Sequence, residues 1–225
     1  MASKPGERKL QILQTVAQML EQPKSEKITT AALAAHLELS EAALYRHFAS
    51  KAQMFEGLIE FIEQTVFGLI NKITQEEKSG VKQVEAIISM LLSFAEKNRG
   101  MTRVLIGDAL VNEDERLQQR INQLLDRIEA TLKQSLRMAA TQGEMGDAVG
   151  GQHQSVQVSG TGMPPSSPSR TAAARTVSGE DISAHANVLI CYVIGRWTQF
   201  AKSGFSREPM AQWAAQSAIL LGRKN

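Results

Sequence analysis

Four histidines, one cysteine and two tyrosines are the side chains of this sequence best suited to chemistry. Their spacing argues against catalysis. His36, His47, His153 and His185 do not fall at separations that let imidazoles share one metal ion. Cys191 stands alone, which excludes a disulfide within the chain and any cysteine-rich zinc site, and it reads as a small buried hydrophobe in a reducing compartment. No glycine-rich loop sits between a strand and a helix, and no nucleophile has a base in view. Neither an enzyme nor a cofactor is expected. The chemistry that remains is recognition, and it is concentrated between positions 28 and 51.

That stretch reads ITTAALAAHLELSEAALYRHFASK. Thr29 or Thr30 caps a short helix with Ala32, Leu33 and Leu37 on its apolar face, and a tight turn at 37–39 leads to Ser40, the cap of a second short helix. Glu41 falls in the first turn of that helix, where the dipole favours an acid. Ala43, Leu44 and Phe48 point inward, which leaves Tyr45, Arg46 and His47 at the outer surface with Ala42 as a small contact point. Two short helices joined this way, the second presenting small, aromatic and basic residues, suit entry into the major groove of double-stranded DNA. Ser40, Ala42 and Tyr45 are candidates near the bases. Thr29, Thr30, His47 and Lys51 are candidates for the phosphate backbone, Lys51 because it opens the next helix. Geometry carries this reading better than charge does: residues 1–51 hold seven Lys and Arg against five Glu, and the whole chain has a formal net charge of only +2. A solvated helical hairpin would show the same pattern.

The surrounding elements read as helices throughout, since no run alternates like a strand. Leu10, Leu13, Val16, Ala17 and Leu20 form a stripe in a first helix ended by Pro23. Ser50 with Gln53 resembles a capping box and opens a long helix to about residue 77, with Met54, Phe55, Leu58, Ile59, Ile62, Val66, Leu69, Ile70 and Ile73 at three- and four-residue steps. Helices follow near 81–96 and 102–110, then a long one carrying Leu117, Ile121, Leu124, Leu125, Ile128, Leu132 and Leu136. Two more are expected at about 181–202 and 209–221, Pro209 suiting a first helical position. The fold class is all-α, with about nine helices. An N-terminal three-helix helix-turn-helix domain spans 1–52, and a helical dimerisation and partner-binding domain spans 53–225. The stretch 139–178 is rich in Gly, Pro, Ser and Thr with no aromatic residue, and is read as a flexible insertion. At 225 residues the chain needs neither disulfide nor metal for a core. No apolar run is long enough to span a bilayer, so a soluble cytoplasmic protein with no membrane partner is expected.

LSEAALYRHFASK resembles the signature of the tetracycline-repressor family, in which a serine-capped recognition helix ends in Leu-Tyr-x-His-Phe-x-Ser-Lys. ITTAALAAHL looks like that family's second helix, and the likeness covers 7–138 well and 180–222 loosely. Within the family, SEAALYRHF, MFEGLIEFIEQ and RINQLLDRIEATLKQ are similar to its nucleoid-occlusion branch. The resemblance implies a homodimer on palindromic chromosomal sites that, while bound, blocks assembly of the tubulin-like cell-division GTPase FtsZ. It also implies a partner surface at Phe61 and Asn98, with Lys97 where an arginine is expected and Leu69 where another is expected. Phe61 suits ordinary core packing equally well. Glu38 stands where the family's turn often has glycine, and the N-terminal arm is poorer in Lys and Arg than in the branch. Most of the family are instead repressors released by a small molecule, the competing expectation.

A palindrome requires two heads about 34 Å apart, or a multiple of that. Pairing is expected from the last two helices, through Val188, Ile190, Tyr192, Val193, Ile194 and Trp197 on one and Trp213, Ala214, Ala218, Ile219 and Leu221 on the other.

Overall fold

The computed structural model describes residues 5–22, 28–145 and 178–222. Among these residues the fold is all-helical: α1 (Pro5–Leu20), α2 (Thr30–His36), α3 (Glu41–Tyr45), α4 (Lys51–Glu76), α5 (Gly80–Lys97), α6 (Arg99–Leu105), a 3-10 turn (Asp108–Leu110), α7 (Glu115–Thr141), α8 (Gly179–Lys202) and α9 (Trp213–Leu220).

Polar side chains start six of these helices. Thr29, Ser40, Ser50, Ser79 and Asp114 each accept a backbone N–H at the head of α2, α3, α4, α5 and α7. Ser178 and Asp181 close a reciprocal capping box on α8. One buried cluster then runs without a break from Ile12, Val16 and Leu20 of α1 through Leu44, Leu58 and Ile62 to Leu91, Leu124, Val193 and Trp197. The head is thus packed onto the body, not strung from it. The close approach of α6 to α1 depends on Gly100, where a side-chain carbon would stand 1.9 Å from the carbonyl oxygen of Ala17. Arg103 of α6 reinforces the contact by donating to the Leu20 and Gln22 carbonyls.

Several expectations need correction. The inward stripe of α1 is Ile12, Val16, Ala17 and Leu20; Leu10 is exposed and Leu13 only half-buried, because the helix turns Ile12 to the core. In α2 the buried pair is Leu33 and Ala34, while Ala32 is exposed and Leu37 half-buried. The segment 139–178 was expected to be a flexible insertion, but Ala139, Ala140 and Thr141 complete α7, with Ala139 fully buried. The Gln142 side chain accepts from Gly80 N and donates to Lys78 O, and Glu144 accepts from Val81 N, so this end of α7 is tied to the start of α5. Residues 146–177 lie outside the described residues.

Pro209 does not open the last helix. The chain between α8 and α9 turns through left-handed Gly204, Phe205 and Gln212, and α9 starts at Trp213. That turn is clamped from both sides. The Arg196 guanidinium donates to the carbonyls of Glu208, Pro209 and Ala211, and the Glu96 carboxylate accepts from Met210 N. Ile190, Val193, Trp197 and Trp213, expected at a subunit interface, are buried within their own chain. Trp197 donates its indole N–H to the Leu91 carbonyl, a partner that a buried indole requires. The face left open on α8 and α9 holds Ala184, Val188 and Cys191 on α8, and Ala214, Ala215 and Ile219 on α9; Cys191 is thus exposed and not the buried hydrophobe expected, because α8 turns Ile190 and Val193 to the core in its place.

Candidate nucleic-acid interface

The reading head is built from two caps and one strained turn. Thr29 Oγ1 accepts from Ala32 N at 3.1 Å, which settles the cap of α2 in favour of Thr29. The helix ends with Glu38 N donating to Ala35 O and Leu39 N to Ala34 O. This is the paired-bond ending that places the residue after the C-cap in the left-handed region. That residue is Glu38, at φ 54°. Ser40 Oγ then accepts from Ala43 N at 3.1 Å and starts α3.

α3 has one turn of regular helix, shorter than the 40–48 stretch suggests, but the chain keeps turning: His47 N and Phe48 N both donate to Leu44 O. Leu44 and Phe48, four residues apart, are buried. Ala42, Tyr45 and Arg46, at three- and four-residue steps on the other side, are exposed. Tyr45 is 44% exposed, high for an aromatic side chain with core to hide in. His47 is half-buried at the edge.

A polar chain ties the two short helices together across this surface. The Thr30 hydroxyl donates to Glu41 Oε2 at 2.7 Å, and the Tyr45 hydroxyl lies 3.5 Å from Thr30 Oγ1. Thr30 therefore fixes Glu41 and steadies the tip of Tyr45. Lys9 of α1 lies over the Phe48 ring at 5.7 Å, on the side of α3 that packs toward the core.

Thr29, Thr30, Ser40, Ala42, Tyr45 and His47 thus come together on α2, α3 and their caps. Lys51, at the start of α4, is bonded to Glu113 in the connection before α7 and lies over the Phe55 ring. Sequence reasoning missed Glu113, which lies sixty-two residues from Lys51 and carries no local signal.

The candidate partner residues occupy a different region. Phe61 is half-buried against the core from α4, Lys97 is exposed at the end of α5, and the Asn98 amide donates to the Phe94 carbonyl as α5 ends. Leu69, two turns beyond Phe61 on α4, is exposed.

Among the described residues no group of three or more His, Cys, Asp or Glu could hold a metal ion, and no helix is long and apolar enough to cross a membrane.

A family model of bacterial regulatory proteins of the tetR family matches residues 13–58, and a tetracyclin repressor-like C-terminal domain of the SlmA-like type matches 78–155. The nucleoid occlusion factor SlmA of Marinomonas sp. (strain MWYL1) is 42% identical over 220 residues, covering 98% of this chain and 96% of its own. That of Alteromonas mediterranea is 43% identical over 217 residues, covering 96% and 95%. The chain belongs to the tetR family. Solved structures share its fold at low identity. A TetR transcription regulator from Haloarcula marismortui superposes with a TM-score of 0.70 at 12% identity, over 96% of this chain and 97% of its own. The fatty acid degradation regulator FadR from Bacillus halodurans superposes with a TM-score of 0.68 at 12% identity, over 99% and 98%. These two speak for the fold alone. In a tetR-family member, the match over 13–58 covers the whole of α2 and α3 and the first residues of α4.

Proposed function

We propose that this protein is a nucleoid occlusion factor. It is a homodimer that binds palindromic chromosomal sites through α3 and, while bound, inhibits assembly of the tubulin-like division GTPase FtsZ, so that no septum forms over the nucleoid. The observation that carries this reading is the 42–43% identity to nucleoid occlusion factors over nearly the whole chain.

The head supports it chemically. Ser40, Ala42 and Tyr45 face the bases from α3, and Tyr45 offers an aromatic body and a hydroxyl whose position Thr30 steadies. Thr29 and His47 flank them and meet the backbone, where hydroxyls and ring N–H groups bond phosphate oxygens; Thr30, whose one proton goes to Glu41, must give up that bond to do the same. Lys51 adds a cation at the start of a 26-residue helix, whose N-terminal dipole also favours phosphate.

The FtsZ surface is the side of α4 and the end of α5 marked by Phe61, Lys97 and Asn98. The exposed Lys97 suits an acidic partner segment. The test is FtsZ polymerisation followed by light scattering, with the protein alone, with duplexes selected for tight binding, and with random duplex. Inhibition stronger with the selected duplex supports the reading; equal polymerisation in all arms contradicts it.

A repressor released by a small apolar ligand is the second reading. It is favoured by a cavity of about 290 Å³ bordered by Val81, Leu136, His185, Val188 and Leu220, where α5 starts and α7 ends. This is the end of the bundle away from the head, because α4 separates the two by roughly 39 Å of helix. Release of selected DNA by a small apolar molecule would support it.

A further inference from the structure

Lys51 has two anions to choose between. Its position at the first residue of α4, directly after the Ser50 cap, puts it at the edge of the reading head where the DNA backbone passes in the function proposed above. Its ammonium is instead bonded to the carboxylate of Glu113, from the connection between α6 and α7. The pair is partly shielded, with the Lys51 side chain 27% exposed and that of Glu113 18% exposed. Salt screens such a pair less than a fully solvated one.

Glu113 is placed by rigid backbone on both sides. Asn112 before it is left-handed at φ 66°, Glu113 N donates to Leu110 O, and Asp114 after it caps α7. α7 is in turn pinned to α4 by the two-pronged Arg120–Glu63 pair, at 3.1 and 2.7 Å. The carboxylate therefore stays within reach of Lys51.

We propose that Glu113 is an internal stand-in for a DNA phosphate. It neutralises Lys51 in the free protein and so holds down the affinity of the head for any duplex. A phosphate must displace it to engage Lys51, and each displacement breaks one ion pair to form another. The connection between α6 and α7 thereby sets how much of the head's charge is available to DNA.

The inference rests on the DNA-binding reading, and the test separates the two. Binding of a random-sequence 20-base-pair duplex is measured across a salt series for the wild type, Glu113→Gln, Glu113→Asp, Lys51→Ala and the double variant Lys51→Ala/Glu113→Gln, with thermal unfolding to confirm folding. If the wild type binds no duplex at low salt, the function proposed above fails. If it binds, Glu113→Gln is expected to tighten binding several-fold and to steepen the salt slope by about one per head. Glu113→Asp, which keeps the charge but loses reach, is expected to move the same way. Both gains depend on Lys51, so the double variant should bind no better than Lys51→Ala. Unchanged or weaker binding by Glu113→Gln overturns the inference. So does a gain that persists without Lys51, which would reflect loss of a negative charge near DNA and nothing more specific.

Discussion

Tyr45 shows how little of a recognition surface is decided by the recognising residue itself. Its exposure follows from Leu44 and Phe48 taking the inward positions, and its direction from Thr30, whose hydroxyl is already committed as a donor to Glu41. Of the candidate site, the parts legible in the sequence were those set by local pattern: the Ser40 cap, the outward Ala42 and Tyr45, and the hydroxyls at Thr29 and Thr30. The parts that were not legible are long-range pairs. Nothing near Lys51 announces Glu113, and nothing near Glu63 announces Arg120. If Tyr45 meets base edges while its neighbours meet phosphates, Tyr45→Ala will cost selected duplex about 1–3 kcal/mol and random duplex much less. Equal losses on both would turn the recognition surface away from Tyr45. Fluorescence anisotropy on the two duplexes reads the difference directly.

The turn between α2 and α3 belongs to the scale of elements. Its hydrogen bonds require a left-handed residue after the C-cap, and the chain supplies Glu38 where glycine would be unstrained. A side chain there costs about 1–2 kcal/mol in the folded state, partly offset because glycine loses more freedom on folding. Glu38→Gly should therefore stabilise the protein by up to about 1 kcal/mol, seen as a higher midpoint in urea with an unchanged slope. A lower midpoint would mean that the Glu38 side chain contributes a contact worth more than the strain.

Helix identity was readable from three- and four-residue spacing, so α4 and α7 emerged almost whole. Their ends were not. Ala139 lies at the front of a glycine-rich stretch, yet it is buried against α5 near Gly80, where an added side-chain carbon would sit 2.3 Å from Ala139 N. Pro209 had the composition of a helix start, but Arg196 and Glu96 hold its surroundings as a turn. In both cases a tertiary contact outweighed a local preference.

At the scale of the whole molecule, the head reads a palindrome only if two copies are held together. The face left open by α8 and α9 is suited to that. Val188 is 55% exposed and Ile219 80% exposed, with alanines between them that allow close approach. Large exposed aliphatic groups on adjacent helices are a common mark of a partner surface. Charging the face with Val188→Glu together with Ile219→Glu is expected to give a folded monomer in light scattering, with binding to selected duplex reduced about tenfold or more. A variant that remains dimeric would place the interface elsewhere. Cys191 lies on the same face and is exposed in the single chain, so pairing should protect it from alkylation and the charged variant should restore its reactivity.

The central claim is that paired α3 helices seat this protein on many palindromic sites over the chromosome, from which it restrains division. Selection and sequencing of the genomic fragments it binds tests that claim most directly. The expected result is one inverted repeat, found at many positions around the chromosome and sparse near the replication terminus. Binding confined to one or two sites beside a single gene, or with no inverted repeat at all, would contradict it.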